Sequence, residues 1–333
     1  MTTSQPGGTM RRTLGAGFGG LMNLPEWPMR WAQRRLRGGR LGWVFVTPNL
    51  AAFGLFTFLP ILIDFVYAFT GGDQLFPAQR PYVGLSNIKA LLSCRDYFDP
   101  NSCVRDLFWH GVYNTAEFVA LQVGFMIGLS LITALALNRP GPARGFFRAV
   151  FFYPVLLSPV VVALIWKWVL QRYGVLNAAL AGLGLAPHDW LLNGGTAFFW
   201  SVFISIWAHM GFYTLILLAG LQAIPRDVYE AAAMDATPPF RRFYRITLPL
   251  LMPSLAVVLV LALIRAVQIF DEVYVLTQGG PGTSTTFLVQ FIYQTGFAQQ
   301  VREYGMAAAA SLLLAIVLMA LTALQLRATR ARP

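Results

Sequence analysis

Of 333 residues, 56% are hydrophobic and only 12% charged, where a soluble domain carries roughly 25% charge. The 25 basic and 14 acidic residues give a formal net charge of +11. A chain this apolar belongs in lipid, which excludes an ordinary soluble enzyme; the excess of arginine is a topology signal rather than a nucleic-acid footprint.

The first 40 residues are basic, with Arg11, Arg12, Arg30, Arg34, Arg35, Arg37 and Arg40. Within them GAGFGG, Gly15 to Gly20, formally fits a dinucleotide fingerprint, but no strand precedes it and no βαβ unit follows. Arg11-Arg12 resembles a twin-arginine export signal without a small-residue cleavage site after it. Residues 1–40 are therefore expected to be a cytoplasmic tail, with Trp27 and Trp31 at the membrane interface.

Uncharged windows then run from Leu41 to Ile63, Phe118 to Leu137, Ala149 to Trp166, Trp190 to Pro225, Ile246 to Ile264 and Tyr304 to Leu326. About 20 apolar residues cross a hydrocarbon core of roughly 30 Å, so each window qualifies, the third barely. The fourth is long enough for one helix plus interfacial ends, with Asn193, Gly194 and Gly195 read as a turn before that helix. The expected fold is an all-α integral membrane protein of six transmembrane helices. With the N-terminus inside, the inner segments hold 17 of the 25 basic residues, so both termini are expected to be cytoplasmic. The permease domain is 41–326, with outer loops 70–111, 171–196 and 271–303, an inner loop at 222–247 and a cytoplasmic tail at 327–333.

Both cysteines, Cys94 and Cys103, fall in the first outer loop. Outside a bacterial inner membrane the compartment is oxidising, which favours a small disulfide-closed loop. The alternative is two unpaired surface thiols.

Catalytic constellations are lacking. His110, His188 and His209 have no metal-ligand spacing, G-x-S-x-G does not occur, and neither lysine, Lys89 nor Lys167, completes a P-loop. No cofactor or metal is expected in this chain; uphill work needs a partner's ATP or a coupled ion. Asp64, Glu117, Lys167, Arg265, Asp271 and Glu272 cluster toward the outer face. They either snorkel and pair at the interface or line a vestibule for a hydrophilic solute. His209 falls mid-span, with Tyr213 one helical turn below it. It is either a satisfied structural histidine or part of a substrate path with Tyr213, Arg265 and Gln268. Trp166, Trp168, Trp200 and Trp207 are interfacial anchors or aromatic stacking faces for a solute.

A polar island, EAAAMDATPPFRRFYRITLPL from Glu230 to Leu250, separates the fourth and fifth windows. Pro225 suits a first helical turn, Asp227 complements the helix dipole, and Pro238-Pro239 ends the helix. Tyr229, Ala232, Ala233 and Ala236 recur at helical spacing as a flat face for another protein's backbone, with Asp227, Glu230 and Met234 beside it. Phe240, Phe243 and Tyr244 share one side of a second turn, and Arg241, Arg242 and Arg245 mark the inner membrane surface.

Glu230-Ala231-Ala232, then Ile246, Leu248 and Pro249, follow the spacing EAA-x3-G-x9-I-x-LP, which resembles the EAA loop of permeases in binding-protein-dependent ABC importers. FDEVYVLTQGGPGTSTT, Phe270 to Thr286, together with Tyr293, Phe297 and Tyr304-Gly305, is similar to the carbohydrate-uptake branch of the maltose and glycerol-phosphate type. The resemblance implies a type I ABC importer permease in a bacterial inner membrane, forming half of an alternating-access pathway. It implies as partners a second permease in a heterodimer, two copies of an ATP-binding subunit and an extracytoplasmic solute-binding protein, with membrane lipid around them and no nucleic acid. ATPase coupling then falls to Tyr229, Glu230, Ala231, Ala232, Ala233, Asp235, Ala236, Arg241 and Arg242. One departure is Ala236, where the family has glycine: the loop is expected to turn differently, or the helix to continue to Thr237. An ion-coupled secondary transporter is the alternative. It calls for internal repeats and a mid-membrane acid, and the sequence presents neither.

Overall fold

The computed structural model describes residues 40–139, 141 and 143–330. The expectations for residues 1–39, including GAGFGG, Arg11-Arg12, Trp27 and Trp31, lie outside the described residues, as do those for 331–333. The chain divides into two units at Asp64 and Phe65.

In the first unit, α1 (Arg40–Phe53) passes through a π-turn (Gly54–Phe58) into α2 (Leu59–Ala68). That unit ends at Asp64, within α2; its large apolar side chains from Val46 to Ile63 are exposed, Phe56 at 76% among them, a surface suited to hydrocarbon or another protein.

The second unit is a helical bundle. Among the described residues, five helical runs are long and apolar enough to cross a membrane: Val46–Ala68, Asp106–Asn138, Gly194–Gln222, Pro239–Thr277 and Tyr304–Arg327. The third expected window is a bent pair, Arg144–Leu156 and Pro159–Val169, with 100° between its halves. Counting that pair as one span gives six. The cause of the bend is local. Leu157 and Ser158 are extended, ψ 142° and 138°, because Pro159 disfavours helix at the residue before it.

The remaining helices are α3 (Ser86–Leu92), α4 (Asp106–Asn138), α5 (Arg144–Phe152), α6 (Pro159–Val169), α7 (Val175–Gly182), α8 (Gly194–Gln222), α9 (Arg226–Met234), α10 (Pro239–Arg242), α11 (Leu248–Val267), α12 (Asp271–Thr277), α13 (Leu288–Tyr293) and α14 (Tyr304–Arg330). Several boundaries differ from the sequence reading. Asn193 is the N-cap of α8, its carboxamide oxygen accepting from Gly195 and Thr196 N–H at 3.0 and 3.2 Å, so Gly194 is already helical. The fifth span starts at Pro239 rather than Ile246, because three arginines interrupt the charge-free window without interrupting the helix. Segment 271–303 is not an open outer loop: α12 packs on α6, and α13 packs on α4 and α14.

The core is centred on α4 and α8. Phe118 meets Phe198 and Ser130 Oγ donates to the Met210 carbonyl at 3.2 Å, a constant offset of 80 residues, so the two helices run parallel. Phe118, Met126, Leu217, Leu251, Val258 and Phe287 fill the space between α4, α8, α11 and the Phe287 segment. Gly211 lets α8 approach the bent segment, where a Cβ would strike the Phe151 carbonyl. A second cluster joins Ala68, Leu91, Phe108 and Phe291 to the alanine run Ala308–Ala310. A third sets Val162 and Leu170 against Ile204, Ala208 and Leu276.

Candidate functional site

The polar island folds as a helix hung between two spans. Pro225 precedes α9 in extended geometry (ψ 142°), and Asp227 lies in the first turn. The helix stops at Met234, short of Pro238, and does not reach Thr237. Ala236 takes a left-handed φ of 48°. Its N–H donates to the Ala233 carbonyl and the Thr237 N–H to the Ala232 carbonyl, both at 3.0 Å, the pair of bonds that closes a Schellman turn. Alanine therefore occupies the conformation that glycine favours.

The faces of α9 divide differently from the sequence reading. Ala232 is 5% exposed, and Tyr229 packs on the bundle core with its hydroxyl 3.1 Å from Thr247 Oγ1. Those two residues seat the helix on its own chain and do not present a docking face. Glu230, Ala231, Ala233, Asp235 and Ala236 are exposed, as is Met234 at 89%. Arg241 is exposed and Arg242 half-buried. At the end of α8, Gln222, with its amide oxygen turned to accept, takes hydrogen bonds from Arg144 and Arg148 at 2.6 and 2.8 Å. Helix α5 thus braces the point where α8 passes into α9.

Of the expected substrate-path residues, His209, at the middle of α8, meets Arg265, near the end of α11. Arg265 donates to His209 Nε2, which leaves His209 Nδ1 to carry the proton and donate to the Ser205 carbonyl at 2.8 Å. His209 is thereby satisfied on both nitrogens and fixes the Arg265 side chain. Arg265 and Gln268 are exposed. Tyr213 is 2% exposed, inside the core, within electrostatic reach of the Arg265 guanidinium.

Glu272 belongs to this site, and the sequence reading had placed it on an outer loop. It is 5% exposed and accepts from Ser205 Oγ at 3.5 Å. Its signal was on α8: Ser201, Ser205 and His209 recur every four residues as a polar stripe. Lys167 has a structural task, donating to the Val275 carbonyl at 3.2 Å near the end of α12. Cys94 and Cys103 are joined as a disulfide in the segment between α3 and α4.

A bundle of long apolar helices, with an exposed helix fixed between two of them and a polar cluster of Ser205, His209, Arg265 and Glu272 inside the span region, defines a multi-pass membrane transport component. Residues 124–332 match the family described as binding-protein-dependent transport system inner membrane component. The chain belongs to that family. It is similar to the trehalose/maltose transport system permease protein MalF of Thermococcus litoralis, 36% identical over 90% of this chain and 96% of that one. It is also similar to the lactose transport system permease protein LacF of Rhizobium radiobacter, 33% identical over 87% and 94%. A bacterial ABC transporter involved in import of the acidic polysaccharide alginate shares the fold, with a TM-score of 0.74 at 24% identity over 88% of this chain and 96% of that one. The chain is thus the inner-membrane permease of a binding-protein-dependent ABC transporter, whose ATPase is a separate subunit. Family membership displaces the ion-coupled alternative.

Proposed function

We propose that this permease imports a carbohydrate, pairing with a second permease as a heterodimer and with two copies of an ATP-binding subunit, within membrane lipid and without nucleic acid. The solute-binding protein delivers the sugar to the end of the bundle that carries the disulfide. The ATP-binding subunit docks at residues 222–247, on Glu230, Ala231, Ala233, Asp235, Ala236 and the Arg241–Arg242 pair. The similarity to permeases named for trehalose, maltose, lactose and arabinooligosaccharides supports the substrate class.

One observation carries the coupling: α9 is attached to both helices that meet at His209 and Arg265. Three residues join it to α8, and the Tyr229–Thr247 hydrogen bond joins it to the foot of α11. From Thr247 to Arg265 is about 27 Å at 1.5 Å per residue. A displacement of α9 by the ATPase therefore reaches the polar groups near the opposite end of the bundle. The test is reconstitution of the four-component complex in proteoliposomes. Uptake of labelled maltose, trehalose or lactose that requires both ATP and the binding protein supports the proposal; ATP-dependent uptake of none of them, with another solute class carried instead, overturns the substrate class.

A further inference from the structure

Six aromatic rings form a connected series. Tyr67 lies 6.2 Å from Tyr304, Tyr304 lies 6.4 Å from Phe297, and Phe297 lies 6.1 Å from Tyr293, centroid to centroid. Tyr293 in turn is 5.3 Å from Tyr274 and 5.1 Å from Phe270. Phe270 lies two residues after Gln268, where α11 gives way to α12.

The Tyr67 end of the series is polar. The Arg80 guanidinium sits 4.9 Å from the Tyr67 centroid and 5.8 Å from that of Tyr304. Arg80 is 7% exposed, fixed by Thr70 Oγ1 at 2.9 Å and the Gln74 carbonyl at 2.7 Å. It borders a cavity of about 390 Å³ that also holds Asp73, Asn87 and the Arg105–Glu303 ion pair. Gly305 keeps this region open to close approach, since a side chain there would meet the Thr70 carbonyl.

The middle of the series is accessible. Phe297 is 63% exposed and Tyr293 36%. Among the described residues the hydroxyls of Tyr274 and Tyr293 have no hydrogen-bond partner, whereas the Tyr67 phenol donates to the Leu75 carbonyl and the Tyr304 phenol accepts from Arg302 at 3.3 Å. Rings that only faced hydrocarbon would leave those two phenols unsatisfied, a costly state in lipid. A pyranose offers the complement. Its C–H face carries partial positive charge and lies against the negative face of an aromatic ring, and its rim of hydroxyls meets the phenols.

We infer that Tyr67, Tyr304, Phe297 and Tyr293 form an entry track on which a carbohydrate stacks, passing from the Arg80 cavity toward Phe270. The inference rests on the carbohydrate reading. Overlapping rings let the sugar exchange one stacking contact for the next without full rehydration, while the polar groups of the Arg80 cavity orient it.

The test uses the full complex in proteoliposomes with saturating loaded binding protein and whichever of labelled maltose, trehalose or lactose the wild type imports. Phe297→Ala and Phe297→Leu are expected to lower uptake roughly five- to tenfold, and Phe297→Tyr to restore it, because a ring face rather than apolar bulk is needed. Should the alanine variant fail to assemble, Phe297→Cys in whole cells decides: an impermeant maleimide added outside should label it, more slowly when the sugar is present. Reaction only with a lipid-soluble maleimide would put the ring in hydrocarbon and overturn the track. Wild-type uptake by Phe297→Leu would also overturn it, leaving the carbohydrate reading intact. Failure of the wild type to import any of the three sugars would remove that reading and the track with it.

Discussion

The hydroxyls of Tyr229 and Thr247 lie 3.1 Å apart and join helix α9 to the foot of α11. Tyr229→Phe keeps the packed ring and removes one hydrogen bond, worth about 1 kcal/mol. The complex should assemble with its full complement of ATPase, yet sugar imported per ATP hydrolysed should fall roughly fivefold. An unchanged ratio would mean that α11 follows the ATPase through another contact.

Ala236 holds a left-handed φ of 48°, which costs a non-glycine residue about 1 to 2 kcal/mol. Glycine removes that strain, partly offset by its larger entropy when unfolded, about 0.4 to 1 kcal/mol. Ala236→Gly should therefore raise the thermal midpoint of the purified complex slightly, and Ala236→Val should lower it, since branching at Cβ aggravates the clash. The reverse order would show that the Schellman turn is not the determinant.

Adjacent alanines on α9 should behave differently. Ala232 is 5% exposed, so Ala232→Trp overpacks its own bundle, at a cost of about 1 to 3 kcal/mol, and should lower the yield of folded permease. Ala233 is exposed; Ala233→Trp should leave the permease pair folded and lose the ATP-binding subunit on purification. Pull-down of the tagged permease separates the two outcomes. Full ATPase retention by Ala233→Trp would move the docking face elsewhere.

Cys94 and Cys103 are bonded to each other on the segment taken to face outward. Intact cells should resist alkylation by an impermeant maleimide until reductant is added. Labelling without reductant would mean open thiols, and labelling only after lysis an inward-facing segment.

Charge-free length made most of the spans legible, because crossing hydrocarbon requires it whatever the packing. It overstated the third window, where Leu157, Ser158 and Pro159 break the helix. It cut the fifth span short at Arg245, because a charge at a membrane surface need not end a helix. That a short helix sits between the fourth and fifth spans was legible in the prolines and arginines around it, but its orientation was not. Alanines lie on both sides of α9, and only Tyr229 on Thr247 and the burial of Ala232 tell which side is inside. Glu272 was misplaced because sequence distance from the fifth window suggested a loop. Its burial depends on α12 folding back beside α8, a tertiary fact that a single window does not carry.

His209 and Arg265 offer the sharpest test of the pathway. Arg265 donates to His209 Nε2, and the other ring nitrogen is taken by the Ser205 carbonyl at 2.8 Å, so the imidazole has no position left to bind solute. Its effect on transport should pass through Arg265, the exposed member of the pair. His209→Ala should lower uptake about tenfold by releasing the guanidinium, while His209→Gln, whose amide oxygen also accepts, should restore part of it. Arg265→Ala should lose as much as His209→Ala, and the double variant no more than either alone, giving a coupling energy about as large as the single effects. Additive losses would instead mean that the histidine touches the sugar independently, and the tautomer set by Ser205 and Arg265 would have to change during transport.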